Sequence, residues 1–127
     1  MELSKGQTVY VPIYSHIYTS PKSVPSDLTA ILSIRNTDLK NSVTVVSVDY
    51  YDSEGKLIRQ YLKTPLELKA MASTRYIVGT YDKEGGSGAN FIVRWRSEKE
   101  VNAPLIESVM IGNRGLSFIS RGQEISE

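Results

Sequence analysis

The chain has 127 residues with no cysteine, one histidine and one tryptophan, and its 15 Lys and Arg against 14 Asp and Glu leave a formal charge of +1. That length suits one compact domain. The lack of cysteine excludes a disulfide scaffold, thiolate metal sites and iron–sulfur clusters, and a lone imidazole cannot build a multi-histidine metal centre. Near-balanced charge argues against a broad electrostatic footprint for nucleic acid, and no apolar run approaches the roughly 20 residues that a membrane-spanning helix needs.

Composition favours strands. Val and Ile number 11 each and Thr 8, joined by 8 Tyr against only 2 Phe. Branched and aromatic side chains suit a pleated, half-buried surface. The first periodic segment is Thr8 to Tyr18, with Val9, Val11, Ile13 and Ile17 on one parity and Tyr10, Tyr14, His16 and Tyr18 on the other. Such alternation reads as one strand with an apolar face. Pro12 cannot donate to a ladder, so the segment is expected at a sheet edge or with a bulge. Thr19 to Ser26, with Pro21 and Pro25, reads as a loop.

Leu28 to Asn36 is the next strand, its inner parity set by Leu28, Ala30, Leu32 and Ile34, and a polar turn follows at Asn36-Thr37-Asp38 and Asn41-Ser42. In Val43 to Tyr51 the apolar parity switches between Val45 and Val46, which predicts a β-bulge there or burial of both faces. Asp52-Ser53-Glu54-Gly55 is a hairpin loop with Gly55 as its positive-φ residue, and Leu57 to Leu62 returns. Pro65 to Ala72 reads as a short strand or turn-rich crossover, followed by a strand over Ser73 to Thr80. Asp82 to Gly88 is Gly-rich and reads as a mobile loop. Ala89 to Arg96 is the clearest strand, with Ala89, Phe91, Val93 and Trp95 inward and Asn90, Arg94 and Arg96 outward. Leu105 to Ile111, a tight turn at Gly112–Gly115 and Leu116 to Arg121 complete the pattern, and a polar C-terminal tail is expected to fray from Gly122. Eight or nine short strands without a convincing helix predict a single all-β domain over 1–127. Its expected form is an immunoglobulin-like or fibronectin-like antiparallel β-sandwich with an ordered core over about 7–121.

Particular residues carry a family resemblance. Gly6-Gln7-Thr8-Val9-Tyr10-Val11-Pro12 with Tyr14-Ser15-His16-Ile17-Tyr18 resembles the opening of the bacterial domain of unknown function 3124 family. Leu28-Thr29-Ala30, Ser33-Ile34-Arg35-Asn36-Thr37-Asp38, Val48-Asp49-Tyr50-Tyr51-Asp52 and Gly86-Ser87-Gly88-Ala89-Asn90-Phe91 extend the likeness from about Gly6 to Gly122. It departs at Leu68 to Ala72, where a proline is expected and Ala70 stands. The resemblance implies an exported protein of the periplasm or cell envelope, with a signal or lipoprotein segment ahead of Met1-Glu2-Leu3. It transfers no activity to any residue.

Four groups of residues compete for a functional role. Tyr10, Tyr14, His16 and Tyr18 are expected to form an aromatic stripe suited to a sugar, a peptide or a protein surface, against the plainer reading of rings that cover the flank of the sheet. Tyr51 stands beside Asp49 and Asp52, whose spacing sends them to opposite faces of a strand. Asn90, Arg94 and Arg96 form an outward polar row able to hold a carboxylate, or simply a solvated face with cross-strand salt bridges, for instance to Glu107. Gly85-Gly86-Ser87-Gly88 is neither a phosphate loop nor a nucleophile elbow, since no Gly-Lys-Ser/Thr ending follows and Ala89 closes the pattern.

The expectation is therefore a non-enzymatic binding or assembly module that uses Tyr10, Tyr14, His16, Tyr18, Tyr51, Asn90 and Arg94. Its partner is an unknown protein, a small molecule or a second copy of the chain, without nucleic acid, cofactor or metal, and a membrane is expected to be met only through an N-terminal lipid anchor. The first strand, if exposed at an edge, offers strand addition as a mode. The alternative is a small-ligand sensor or carrier with a pocket near the Gly-rich loop. An enzyme built on His16 and a carboxylate is not expected, because no orienting group is legible beside it.

Overall fold

The computed structural model describes residues 2–14, 16–17, 26–79, 88–112 and 117–127. In chain order the strands are β1 (Leu3–Ile13), β2 (His16–Ile17), β3 (Ser26–Arg35), β4 (Val43–Tyr51), β5 (Leu57–Gln60), β6 (Leu66–Leu68), β7 (Ser73–Val78), β8 (Ala89–Asn102), β9 (Leu105–Gly112), β10 (Ser117–Arg121) and β11 (Gln123–Ile125). They form two antiparallel sheets. The first runs β11-β1-β8-β4-β5, with β6 pairing β4 beside β5; the second runs β10-β9-β3-β2, with β7 pairing β3 beside β2. The result is an all-β sandwich. Its strand count exceeds eight or nine because the short β2 and β11 are too brief to show a period.

Alternation builds the core. Val9, Val11 and Ile13 of β1, Leu28, Ala30, Leu32 and Ile34 of β3, and Ala89, Phe91, Val93 and Trp95 of β8 are all buried between the sheets. In β4 the register against β8 slips between Val45 and Ser47, so Val46 is the extra residue of a bulge. That bulge lets Val43 and Val45 before it, and Val48 and Tyr50 after it, all face inward. The Asp52–Lys56 turn closes as expected, with Gly55 at φ +85° and Asp52 Oδ1 accepting from the N–H groups of Glu54 and Lys56. At Lys69–Ala72 the Ala72 N–H donates to the Lys69 carbonyl at 2.9 Å, and Met71 holds φ +66°. Positive φ at the third residue is type II geometry, in which proline favours the second position, here occupied by Ala70.

Three expectations need correction. Thr8 to Tyr18 is not one strand. β1 belongs to the first sheet and β2 to the second, so the chain changes sheets after Ile13 and parity cannot carry across the change. β1 is also not an edge strand, because it lies between β8 and β11. Pro12 is tolerated because β11 pairs only as far as Tyr10. Past that point the Pro12 carbonyl turns away from β8 and accepts from the buried Ser108 hydroxyl of β9 at 2.7 Å. The ring nitrogen of the same residue points to that open edge, so no ladder bond is lost. Over Thr8–Tyr10, β11 already takes the place that an added strand would need.

The polar tail, lastly, is not frayed. It pairs as β11 with Thr8, Val9 and Tyr10. The chain reaches it from β10 through Gly122, whose N–H donates to the Ile106 carbonyl at 2.8 Å.

Aromatic rings close the sandwich at its flanks. Tyr50 and Phe91 of the first sheet, with centroids 5.0 Å apart, meet Tyr61, which in turn meets Tyr76 of the second sheet at 6.1 Å. On another flank Tyr14 lies 5.7 Å from Phe118.

Candidate functional site

Beside the row of Gly6, Arg96, Thr44 and Glu67, the outward residues of the first sheet form three further cross-strand rows. Ile125, Thr8, Arg94 and Ser47 form one. Gln123, Tyr10, Ile92, Asp49 and Gln60 form the next. Pro12, Asn90, Tyr51 and Leu57 form the third. Tyr10, Tyr51, Asn90 and Arg94, distant in sequence, therefore share one face. Ile92 lies at its centre, directly between Tyr10 and Asp49.

Of the remaining expected residues, Tyr14 does not join them. Tyr14 leaves the strand and turns in against Phe118 and the core. His16 pairs with Asp27 through backbone in the second sheet, and its side chain lies outside the described residues, as does the whole of Tyr18. Of the expected aromatic stripe, Tyr10 is the described side chain that lies on this face. The Gly-rich loop expected over Asp82 to Gly88 also lies outside the described residues, apart from Gly88.

Arg94 is already engaged. Its Nε and Nη2 donate to Glu127 Oε1 at 3.0 and 2.7 Å, and its Nη1 lies 3.5 Å from Asp49 Oδ2. Thr8 Oγ1 donates to the other Glu127 oxygen. The Arg94 and Thr8 hydrogen bonds hold the Glu127 carboxyl down at about 2, and the same contact pushes the Arg94 guanidinium up. The expected partner Glu107 lies on β9 in the other sheet. Around this clamp runs an open groove of about 440 Å³, lined among others by Gln7, Thr8, Arg94, Trp95, Ile125 and Glu127. Trp95 is buried, and its indole N–H donates to Gln7 Oε1 at 3.2 Å. The site accordingly offers a flat aromatic and aliphatic centre beside a guanidinium that holds a carboxylate. Among the described residues no three His, Asp or Glu side chains gather to hold a metal ion.

Sequence reasoning missed Glu127 and Thr8. Glu127 had no local signal, since only tertiary pairing of β11 brings it to Arg94. Asp49 had one: its parity matches Ser47 and Tyr51, which places it outward on β4 opposite Ile92.

The motifs that line this face extend over most of the chain. The profile of a family described as a protein of unknown function, DUF3124, matches residues 6–125. The chain belongs to the DUF3124 family. No curated protein and no solved structure is detectably similar to it. Within the DUF3124 span lie these outward rows of the first sheet, while Glu127 stands just beyond it.

Proposed function

We propose that this DUF3124 chain is a binding module that meets its partner through the outer face of the first sheet. The observation that carries the proposal is the grouping of Tyr10, Ile92, Asn90 and Tyr51 across three adjacent strands. Half-buried tyrosines around an aliphatic centre give a rigid contact area with polar tips, at little cost in side-chain entropy. Arg94, held by Glu127, adds a carboxylate-recognising edge that a partner's acidic group reaches by displacing Glu127. No catalytic step is part of the proposal. We place the module in the bacterial cell envelope, supported by the family resemblance and by a cysteine-free chain that has no need of a reducing compartment.

Site-specific photo-crosslinking in cells tests it. A benzophenone side chain at position 10 or 51 is expected to capture a discrete partner, or a second copy of the chain. The same group at Lys56, in the exposed hairpin turn, is expected to capture none. Equal labelling at all three positions, or no adduct at positions 10 and 51, sinks the proposal.

A further inference from the structure

The outer face of the second sheet carries a pattern unrelated to the tyrosine face. In register, Ile77 of β7, Ile31 of β3, Val109 of β9 and Ile119 of β10 form one row across four strands, with Ile111 one step further along β9. At strand spacing the row is about 14 Å long. Ile77 is 52 %, Ile111 45 % and Ile119 62 % exposed. An outward face normally alternates to polar residues, so a continuous aliphatic row there marks a surface made to be covered.

The adjacent row is Arg75, Ser33, Glu107 and Arg121, and beyond it Arg35 lies between Ser73 and Leu105. Arg35 and Arg75, with Ser33, Ser73 and Thr74, line one open depression of about 290 Å³ that contains no acidic side chain. Among the described residues neither arginine has an ion-pair partner. Glu107 lies directly opposite Arg121 instead. Among the described side chains of these two rows, Arg35, Arg75 and Arg121 stand against the single carboxylate of Glu107.

That charge selects the occupant. A second copy packed face to face would set arginines against arginines with one glutamate apiece to offset them. Among the described residues no wall stands beside the aliphatic row to enclose the chain of a free amphiphile. An extended anionic surface with apolar depth satisfies both rows at once. We propose that this face docks on an anionic lipid bilayer. The Ile77–Ile31–Val109–Ile119 row enters the boundary between headgroups and acyl chains, and Arg35 and Arg75 take lipid phosphates.

Co-sedimentation of the full chain with phosphatidylglycerol-rich vesicles tests this, with pure phosphatidylcholine vesicles alongside. Binding is expected to the anionic vesicles and to fall steeply with added salt. Arg35→Gln with Arg75→Gln is expected to weaken it about thirtyfold, at ~1 kcal/mol for each arginine near the surface. Ile77→Ser with Ile119→Ser is expected to abolish it. All four side chains are exposed, so unchanged circular dichroism and melting will show that both double variants fold. Failure of the parent chain to bind anionic vesicles at low salt overturns the proposal, as does undiminished binding by both double variants. Two other results also overturn it when vesicle binding is absent. Self-association lost in the isoleucine variant assigns the face to a second copy, and binding of polyglutamate or inorganic phosphate assigns it to soluble anions.

Discussion

Asn36 carries more of the structure than its place in a polar turn implies. It is 2 % exposed, and its side-chain Nδ2 lies 3.0–3.1 Å from the carbonyl oxygens of Asn41, Leu68 and Lys69. Its Oδ1 accepts from the Asp38 N–H, and its own N–H donates to the Ala72 carbonyl. One side chain thus ties the β3–β4 loop to the β6–β7 turn, where the chain crosses between sheets. Only an amide supplies both donor and acceptor in that space. Asn36→Ala is expected to lose about 2 kcal/mol in urea denaturation, because buried carbonyls are left unpaired. Asn36→Asp keeps the shape but points an acceptor at three acceptors, so it is expected to cost at least as much. Equal stability of parent and Asn36→Asp would show that the three carbonyls find other donors.

The crossing from β10 to β11 depends on a single residue without a side chain. A Cβ on Gly122 would sit 2.7 Å from Val9 Cγ1 and 2.9 Å from the Ile106 backbone oxygen. Neither the core valine nor the backbone of β9 is free to move far, so Gly122→Ala is expected to cost about 1–3 kcal/mol of unfolding free energy. The strand it feeds, β11, spans only Gln123–Ile125 and has one neighbour, β1. Its hold depends on Glu127 gripping Arg94 and Thr8. The Glu127 carboxyl is held at about 2, below its ordinary 4.5. A carboxylate depressed in the folded state contributes stability that is full above its ordinary value and lost as pH falls through its folded one. Amide protection of β11 relative to β8 is therefore expected to drop between pH ~4.5 and ~2, and to weaken in high salt because Glu127 is exposed. Constant relative protection across that range would show that backbone pairing alone holds β11.

The whole molecule presents two dissimilar outer faces. One carries Tyr10 and Tyr51 around Ile92, with Arg94 internally paired; the other is aliphatic, and among the described residues its Arg35 and Arg75 have no ion-pair partner. If both proposals hold, the sandwich is a bridge, with lipid on one side and a partner on the other. Crosslinking at positions 10 and 51 is then expected to persist in the Ile77→Ser, Ile119→Ser variant after it has left the membrane fraction. Loss of both together would show that partner and membrane are met through one surface.

Much of this was legible from local pattern. The inward sets of β3 and β8, the bulge near Val46, the Gly55 turn and the outward placing of Asn90 and Arg94 all follow from a two-residue period, which backbone geometry imposes on any strand. The same rule misplaced Tyr14 and His16, because alternation says which residues share a side only while the chain stays in one sheet. Three things had no local signal: the sheet change after Ile13, the docking of β11 with its Glu127–Arg94 clamp, and the alignment of isoleucines from β7, β3 and β10 with Val109. Each is set by which strands become neighbours. Strand pairing is a long-range choice made by core packing, and a residue's own neighbours in sequence do not encode it.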